Sequence, residues 1–257
     1  MTSVSAEIAT LPALAKALRL PAIARCCESL AATAEAEAWP CSRYLQALLD
    51  EELRCRADRR VMRLIQQAQL PAGKTIAGFD FTAVPSINRR QIDARAASTD
   101  WVEVGQNLLF FGPSGTGKTH LAAGLGFALA QAGISIRYAR TTDLVQHLQA
   151  AKAECKLPQA LTRLDRFACL ILDDIGYAQR SNAETGVLFE LIAHRYEQRS
   201  LIVTSNHPFG EWNQIFGDQA MTIAAIDRLV HHSSIFELNT DSYRRKAALK
   251  AQHQATS

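Results

Sequence analysis

Residues 107–120 read NLLFFGPSGTGKTH. The apolar run Leu108–Phe111 passes into a turn holding Gly112, Pro113, Gly115 and Gly117, and then into Lys118, Thr119 and a helical pattern. From Gly112 to Thr119 the spacing is G-x-x-x-x-G-K-[ST], the mark of a loop that cradles phosphates. The chemistry explains the residue types. Glycines let backbone N–H groups approach an anion and point at it. The helix that follows sets its positive dipole end at the same place. Lys118 adds a point charge, and Thr119 offers a hydroxyl to Mg²⁺. The turn Gly112, Pro113, Ser114, Gly115, Thr116 and Gly117, with Lys118, Thr119 and His120 after it, is therefore assigned to the phosphates of a nucleotide.

Downstream of this loop the pattern alternates strand and helix. A helix is expected over Lys118–Gln131 and ends at Gly133; a second strand follows over Ile134–Ala139. Thr142 or Asp143 is expected to cap the next helix. Further strands are read at Ala168–Leu172, Leu201–Thr204 and Ile235–Leu238, with a helix over Glu184–Gln198. Such alternation predicts an α/β fold: a parallel sheet with flanking helices on both faces. The chain before the loop differs. Its first 70 residues contain no glycine and are rich in Ala, Leu, Arg and Glu, a composition that favours helices. Apolar spacing near 3.6 runs through Leu11, Leu14, Leu18 and Ile23, and again through Tyr44, Leu45, Leu48, Leu49 and Leu53 as far as Leu64 and Ile65. Pro71 and Gly73 are expected to end it, and a short helix lies near Arg89–Ala97. The domain reading is a small all-α N-terminal domain, residues 1–74, and a core over residues 75–257.

Composition excludes some classes. At 257 residues, 48% hydrophobic and a formal net charge of +3, the chain suits a globular protein, and its charge alone argues no nucleic-acid partner. The six cysteines show no C-x-x-C spacing, so a zinc or redox motif is not expected and all six read as reduced thiols. The first 20 residues lack the form of a signal peptide, and no apolar run reaches 18 residues. A cytoplasmic location without membrane contact is expected.

Three further stretches carry chemistry. CLILDDIG, residues 169–176, delivers two adjacent carboxylates at a strand's end: Asp173 is assigned to the metal and Asp174 to the attacking water. LIVTSN, residues 201–206, brings Asn206 to the edge where open α/β sheets bind ligands. Arg228, and later Arg244, Arg245 and Lys246, supply positive charge of the kind that stabilises a transferring phosphoryl group, in trans where subunits adjoin. His231 and His232 read as surface residues without a ligand set.

The order GPSGTGKT, LILDDIG, IVTSN, DRL and a late SYR resembles the AAA+ ATPases, and within them the IstB-like/DnaC-like group. EELRCRADRRVMRLIQQAQLPAGKTIAGFDFT, RSNAETGVLFELIAHRYEQRSLIVTSN and AAIDRLVHHSSIFEL bring it closest to the IstB-like transposition helper ATPases, over residues 40–246. The resemblance implies an AAA+ P-loop core behind a helical N-terminal domain, with ATP and Mg²⁺ held between subunits; as a departure from the family pattern, a full C-terminal lid domain is not expected. It implies Lys118 and Thr119 on the phosphates and Mg²⁺, Asp173 on the metal side, and Asp174 as the hydrolytic acid. Asn206 would be the first sensor, Arg228 the arginine finger and Arg244 a second sensor. Asp174 stands where most AAA+ proteins have Glu, and NTD precedes SYR where a glycine is expected. The implied partners are double-stranded DNA, a partner transposase and further copies of the chain in a ring or helical homo-oligomer. Arg54, Arg56, Arg59, Arg60 and Arg63, then Arg89, Arg90 and Arg95, are the basic clusters compatible with backbone phosphates. The alternatives are a DnaC-like replicative helicase loader and, in another class, a small-molecule kinase.

Overall fold

The computed structural model describes residues 11–176, 181–216 and 218–239. These fall into two compact units that meet in sequence between Arg63 and Leu64. Residues 11–17 are helical. They are followed by α1 (Pro21–Ala36) and by α2 (Cys41–Ala68), whose last turn belongs to the second unit. That last turn leaves the first unit because Leu64, Ile65 and Ala68 pack into the core under the sheet. Helix α2 stops three residues before Pro71: Gln69 adopts a left-handed φ of 51°, which closes a helix C-terminus.

In the first unit Ala15, Ile23, Cys27 and Leu48 form the buried core. The N-terminus of α1 has no side-chain cap of its own. Glu52, buried on α2, supplies one by accepting from the N–H groups of Ala22 (2.8 Å) and Ile23 (3.4 Å). Leu45, Leu49 and Leu53 continue the apolar spacing of α2 but stay exposed, so only Leu48 and half of Tyr44 of that stripe are buried.

The second unit continues with α3 (Arg89–Ala97), α4 (Asp100–Glu103), β1 (Asn107–Phe111), α5 (Lys118–Gln131), β2 (Ile136–Arg140), α6 (Thr141–Ala153), α7 (Leu157–Leu164), β3 (Cys169–Asp173), α8 (Asn182–Arg195), β4 (Ser200–Ser205), α9 (Asn213–Phe216), α10 (Gln219–Val230) and β5 (Ser233–Glu237). The strands form one parallel sheet in the order β2-β3-β4-β1-β5. Position in that order sets burial. Strands β1, β3 and β4 are central and buried along their whole length, as strands covered on both faces must be. The edges β2 and β5 are only partly buried. Leu108, Phe110, Ile171 and Ile202 face α5, against Leu121, Leu125 and Leu129. Leu109, Phe111, Leu170, Leu172, Leu201 and Val203 face α6, α8 and α10 through Leu148, Leu188 and Leu229.

Several boundaries differ from those expected, each for a local reason. Helix α6 begins at Thr141 with neither Thr142 nor Asp143 as its cap; Arg140 holds the cap position without a side-chain bond. Helix α8 begins two residues before Glu184, because Ser181 and Glu184 form a reciprocal capping box. It ends at Arg195, three residues before Gln198, and Arg195 is fully buried. The Arg195 guanidinium donates to the carbonyls of Leu164 (3.2 Å), Phe167 (2.9 Å) and Ser200 (3.2 Å), tying the entries of β3 and β4. Burial pushes its pKa down to about 10, which still leaves it charged at neutral pH. The second strand runs from Ile136 to Arg140 and the fifth from Ser233 to Glu237, each shifted along the chain to match the register of its partner. Among the described residues no helix is long and apolar enough to cross a membrane.

Candidate nucleotide site

The phosphate loop joins β1 to α5 at the C-terminal edge of the sheet. Its backbone conformation requires glycine. Gly112 has φ 144°, and a Cβ there would lie 2.5 Å from the carbonyl oxygen of Leu238. Gly117 has φ 103°, and a Cβ there would meet the Phe79 ring at 2.6 Å. The loop thus runs tightly between β5 and the segment around Phe79.

Lys118 opens α5 and is buried. Its ammonium donates to the carbonyls of Gly112 (2.7 Å) and Pro113 (2.8 Å) and to Oδ1 of Asn206 (2.7 Å). Asn206 in turn donates through Nδ2 to Oδ1 of Asp174 (2.8 Å). Lysine, amide and carboxylate, drawn from three separate stretches of chain, therefore form one hydrogen-bonded line.

Beside it lies a ring of hydroxyls around Asp173. Thr119 (2.9 Å) and Thr204 (2.7 Å) both donate to Oδ1, and Tyr138 donates to Oδ2 (2.7 Å). Thr141 donates to the Asp173 carbonyl (2.8 Å) instead of capping α6. Thr204 also accepts from the Asp174 N–H (2.8 Å), while Asp174 holds a left-handed φ of 62°. That strained backbone turns its side chain away from the Asp173 face and toward Asn206. Burial raises the Tyr138 phenol above the ordinary tyrosine range, and the neighbouring Asp173 carboxylate adds to the shift.

A cavity of about 290 Å³ opens over the loop. Residues 114–120, Asp174, Thr204 and Asn206 line one side of it, and Lys74, Gly78, Phe79, Asp80, Ala83 and Val84 the other. His120 turns its Nε2 to the Thr75 carbonyl (2.9 Å) and its ring edge to Phe79. Thr119 and Asp173 are hard oxygen donors within hydrogen-bond reach of each other, a donor set suited to Mg²⁺. The loop, Lys118, Thr119, Asp173, Asp174 and Asn206 are thus brought together.

Other expected residues lie elsewhere. Arg228, on α10, donates to its own Ala224 carbonyl (2.8 Å), lies 5.3 Å over the Phe189 ring and does not line the cavity. Arg244, Arg245 and Lys246 lie outside the described residues. The basic clusters are partly neutralised: Arg54 pairs with Glu51, Arg56 with Glu52, and Arg89 with Asp93. His231 and His232 have a potential ligand partner after all, because the fold sets Glu197 Oε1 3.5 Å from His231 Nδ1. Tyr138, Thr204 and Thr141 carry no motif in the sequence, because the partner of a strand hydroxyl, or of one at the turn from strand to helix, is set only by strand pairing. Phe79 carried a signal, the FDF segment, without a visible role.

Residues 13–251 match the family described as IstB-like ATP binding protein. A Sinorhizobium fredii protein named as an insertion sequence ATP-binding protein is 51% identical over 234 residues, 91% of this chain and 78% of that one. A Geobacillus stearothermophilus protein, named as an ATP-binding protein of insertion sequence IS5376, is 38% identical over 238 residues, 92% of this chain and 94% of that one. Among solved structures, the DnaC helicase loader superposes with a TM-score of 0.56 at 22% identity, over 65% of this chain and 97% of that one. DnaI superposes with a TM-score of 0.56 at 17% identity, over 70% of this chain and 98% of that one. These likenesses to solved structures show the fold, a DnaC-like AAA+ P-loop fold.

Proposed function

The chain belongs to the family of IstB-like ATP-binding proteins, and from that premise we propose that it is an ATP-dependent, DNA-binding transposition helper. In this reading it binds ATP at the phosphate loop, assembles as a homo-oligomer on double-stranded DNA, and recruits or stimulates a partner transposase. ATP hydrolysis regulates the assembly. The insertion-sequence names of its relatives support the biological setting. The observation that carries the chemical reading is the line Lys118–Asn206–Asp174 running beside the Thr119–Asp173 pair at the sheet's C-terminal edge.

Those bonds support the following roles. Thr119 and Asp173 would hold Mg²⁺, which when bound would neutralise charge on the phosphates. Asp174 orients and deprotonates the attacking water, with its carboxylate fixed by Asn206. Lys118 gives its ammonium to the phosphates, and the carbonyls of Gly112 and Pro113 hold it at the loop meanwhile. Asn206 touches both the lysine and the acid, so a change at one reaches the other. Arg228 lies away from its own chain's cavity and acts on a neighbouring subunit's nucleotide. The helical N-terminal domain contacts DNA or the protein partner.

Two measurements test this. Lys118→Ala is expected to lose ATP-supported assembly on duplex DNA, read by sedimentation; retention of nucleotide-dependent complexes would overturn the loop assignment. Arg228→Ala is expected to bind a fluorescent ATP analogue normally while its turnover falls about 10³-fold or more, the scale of an arginine finger. Mixed with Asp174→Asn subunits, it recovers part of the activity if the arginine acts in trans. No recovery at any mixing ratio would count against action in trans.

A further inference from the structure

Strand β2 is an edge of the sheet, and a second cavity, of about 540 Å³, lies beside it. Four arginines line this cavity: Arg137 and Arg140 from β2, Arg163 from the last turn of α7, and Arg166 from the segment before β3. Against them the lining offers one carboxylate, Asp143. The balance is three positive charges, as many as the formal net charge of the entire chain. Among the described residues none of the four has a carboxylate within salt-bridge distance. Arg137 is half-buried, and both its burial and the proximity of Arg166 lower its pKa. Their contacts are to neutral groups: Arg137 donates to the Gln67 carbonyl (3.2 Å) and Arg166 lies 4.6 Å over the Phe167 ring, so the fold holds like charges together without a carboxylate to pair them. On α2, by comparison, Arg54 and Arg56 are each matched by a glutamate one turn away, and Arg59, Arg60 and Arg63 line no cavity among those described.

We propose that this cavity at the β2 edge is a phosphodiester site, which grips the backbone of a DNA duplex through Arg137, Arg140, Arg163 and Arg166. The proposal rests on the DNA-binding reading above and gives it a place on the ATPase core. Several features favour this occupant. Guanidinium forks match phosphate oxygens in pairs. Four of them around one opening suit a ligand whose charges recur closely, and each strand of a duplex presents a phosphate about every 3.4 Å of axis. A single-stranded ligand would call for exposed rings on which bases stack. Of the rings in this lining, Phe167 is buried, Tyr138 is half-buried and His147 alone is exposed, one small ring against four guanidinium groups. The contact is therefore to backbone, and sequence-independent. Tyr138 and Arg140 line this cavity, and Tyr138 also bonds the metal-side acid, so the DNA grip and the nucleotide site share a strand.

The test is anisotropy of a labelled random-sequence duplex, with a non-hydrolysable ATP analogue, against salt. Arg163 and Arg166 are both exposed, so Arg163→Ala/Arg166→Ala should fold and bind nucleotide as the parent does. Each lost phosphate contact removes about 0.9 from the log–log salt slope, so the double variant's slope should be shallower by about 2. Between about 50 and about 200 mM salt the parent should then lose roughly tenfold more affinity than the variant. The loss should be the same on unrelated duplex sequences. An unchanged slope and affinity in the variant, with a parent that binds duplex, would overturn the site. So would a variant that binds duplex normally but has lost an interaction with poly-glutamate, which would make the ligand an acidic protein segment. A parent that binds no duplex at all would instead sink the reading on which the proposal rests.

Discussion

At the scale of single residues, the site depends on hydroxyls that no motif announces. Among the described residues the Asp173 carboxylate accepts three of them, Thr119 and Thr204 on Oδ1 and Tyr138 on Oδ2. Tyr138→Phe removes that donor and nothing else. The expected cost is about 1 kcal/mol of stability, read by denaturant titration. ATP turnover should drop by a few-fold, with nucleotide affinity held. The pH dependence has a definite sign. The Tyr138 pKa is raised by folding, so its contribution is fully present below the ordinary phenol pKa, about pH 10, and fades only as the pH climbs through the higher folded value. Parent and variant should therefore differ by a constant amount from neutral pH to about pH 10. A difference that changes between neutral pH and about pH 10 would contradict this. The glycine loop was legible because backbone geometry near an anion restricts residue type at fixed spacing. Tyr138 was not, because its value comes from the register that places Arg140 opposite Asp173 and Tyr138 two residues before it.

At the scale of elements, type was easier to read than extent. The central strands announced themselves as unbroken apolar runs, since both of their faces are covered. The edges β2 and β5 mix exposed and buried positions, and their limits moved by up to two residues. Helix α8 shows why starts are missed. The string Ser181-Asn182-Ala183-Glu184 is a capping box whose glutamate sits inside the first turn, although the apolar pattern begins only at Val187. Ser181 accepts from the Glu184 N–H (3.3 Å), and the Glu184 carboxylate accepts from the Ser181 N–H (2.7 Å). Ser181→Ala should cost about 1 kcal/mol, while Ser181→Asp should retain most of the stability, both read as shifts in thermal midpoint. Equal losses in the two variants would show that the cap contributes nothing. Exposed apolar residues were the harder case. Leu45, Leu49 and Leu53 keep helical spacing on α2, yet the core cluster takes only Leu48, because a long helix offers more faces than a small unit has partners for.

For the whole molecule, the two units differ in what holds them. The second has a sheet covered on both faces by two extensive clusters, and losing any one polar contact leaves that burial intact. Among the described residues the first has a core cluster of four buried side chains, so one capping carboxylate counts for more there. Burial opposes the charge on Glu52, but the hydrogen bonds from Arg56, Ala22 and Ile23 outweigh it and hold its pKa below the ordinary glutamate value. The Arg56 guanidinium is about half exposed, so its share is screened; the two N–H groups at the start of α1 supply the part that water cannot replace. A depressed carboxyl pKa stabilises above the unfolded value, about 4.3, and that stabilisation is lost as the pH falls through the lower folded value. Glu52→Gln should thus weaken the first unit at neutral pH by about 1 kcal/mol, the difference between a hydrogen bond to a charged acceptor and one to a neutral acceptor. Below about pH 4 the gap between parent and variant should close, since the parent's own carboxyl is then protonated. Hydrogen exchange reads both units at once: amides of α1 should lose protection in the variant, while those of β1, β3 and β4 keep theirs. Loss of protection spread evenly over both units would mean that Glu52 stabilises the molecule by some route other than the cap on α1.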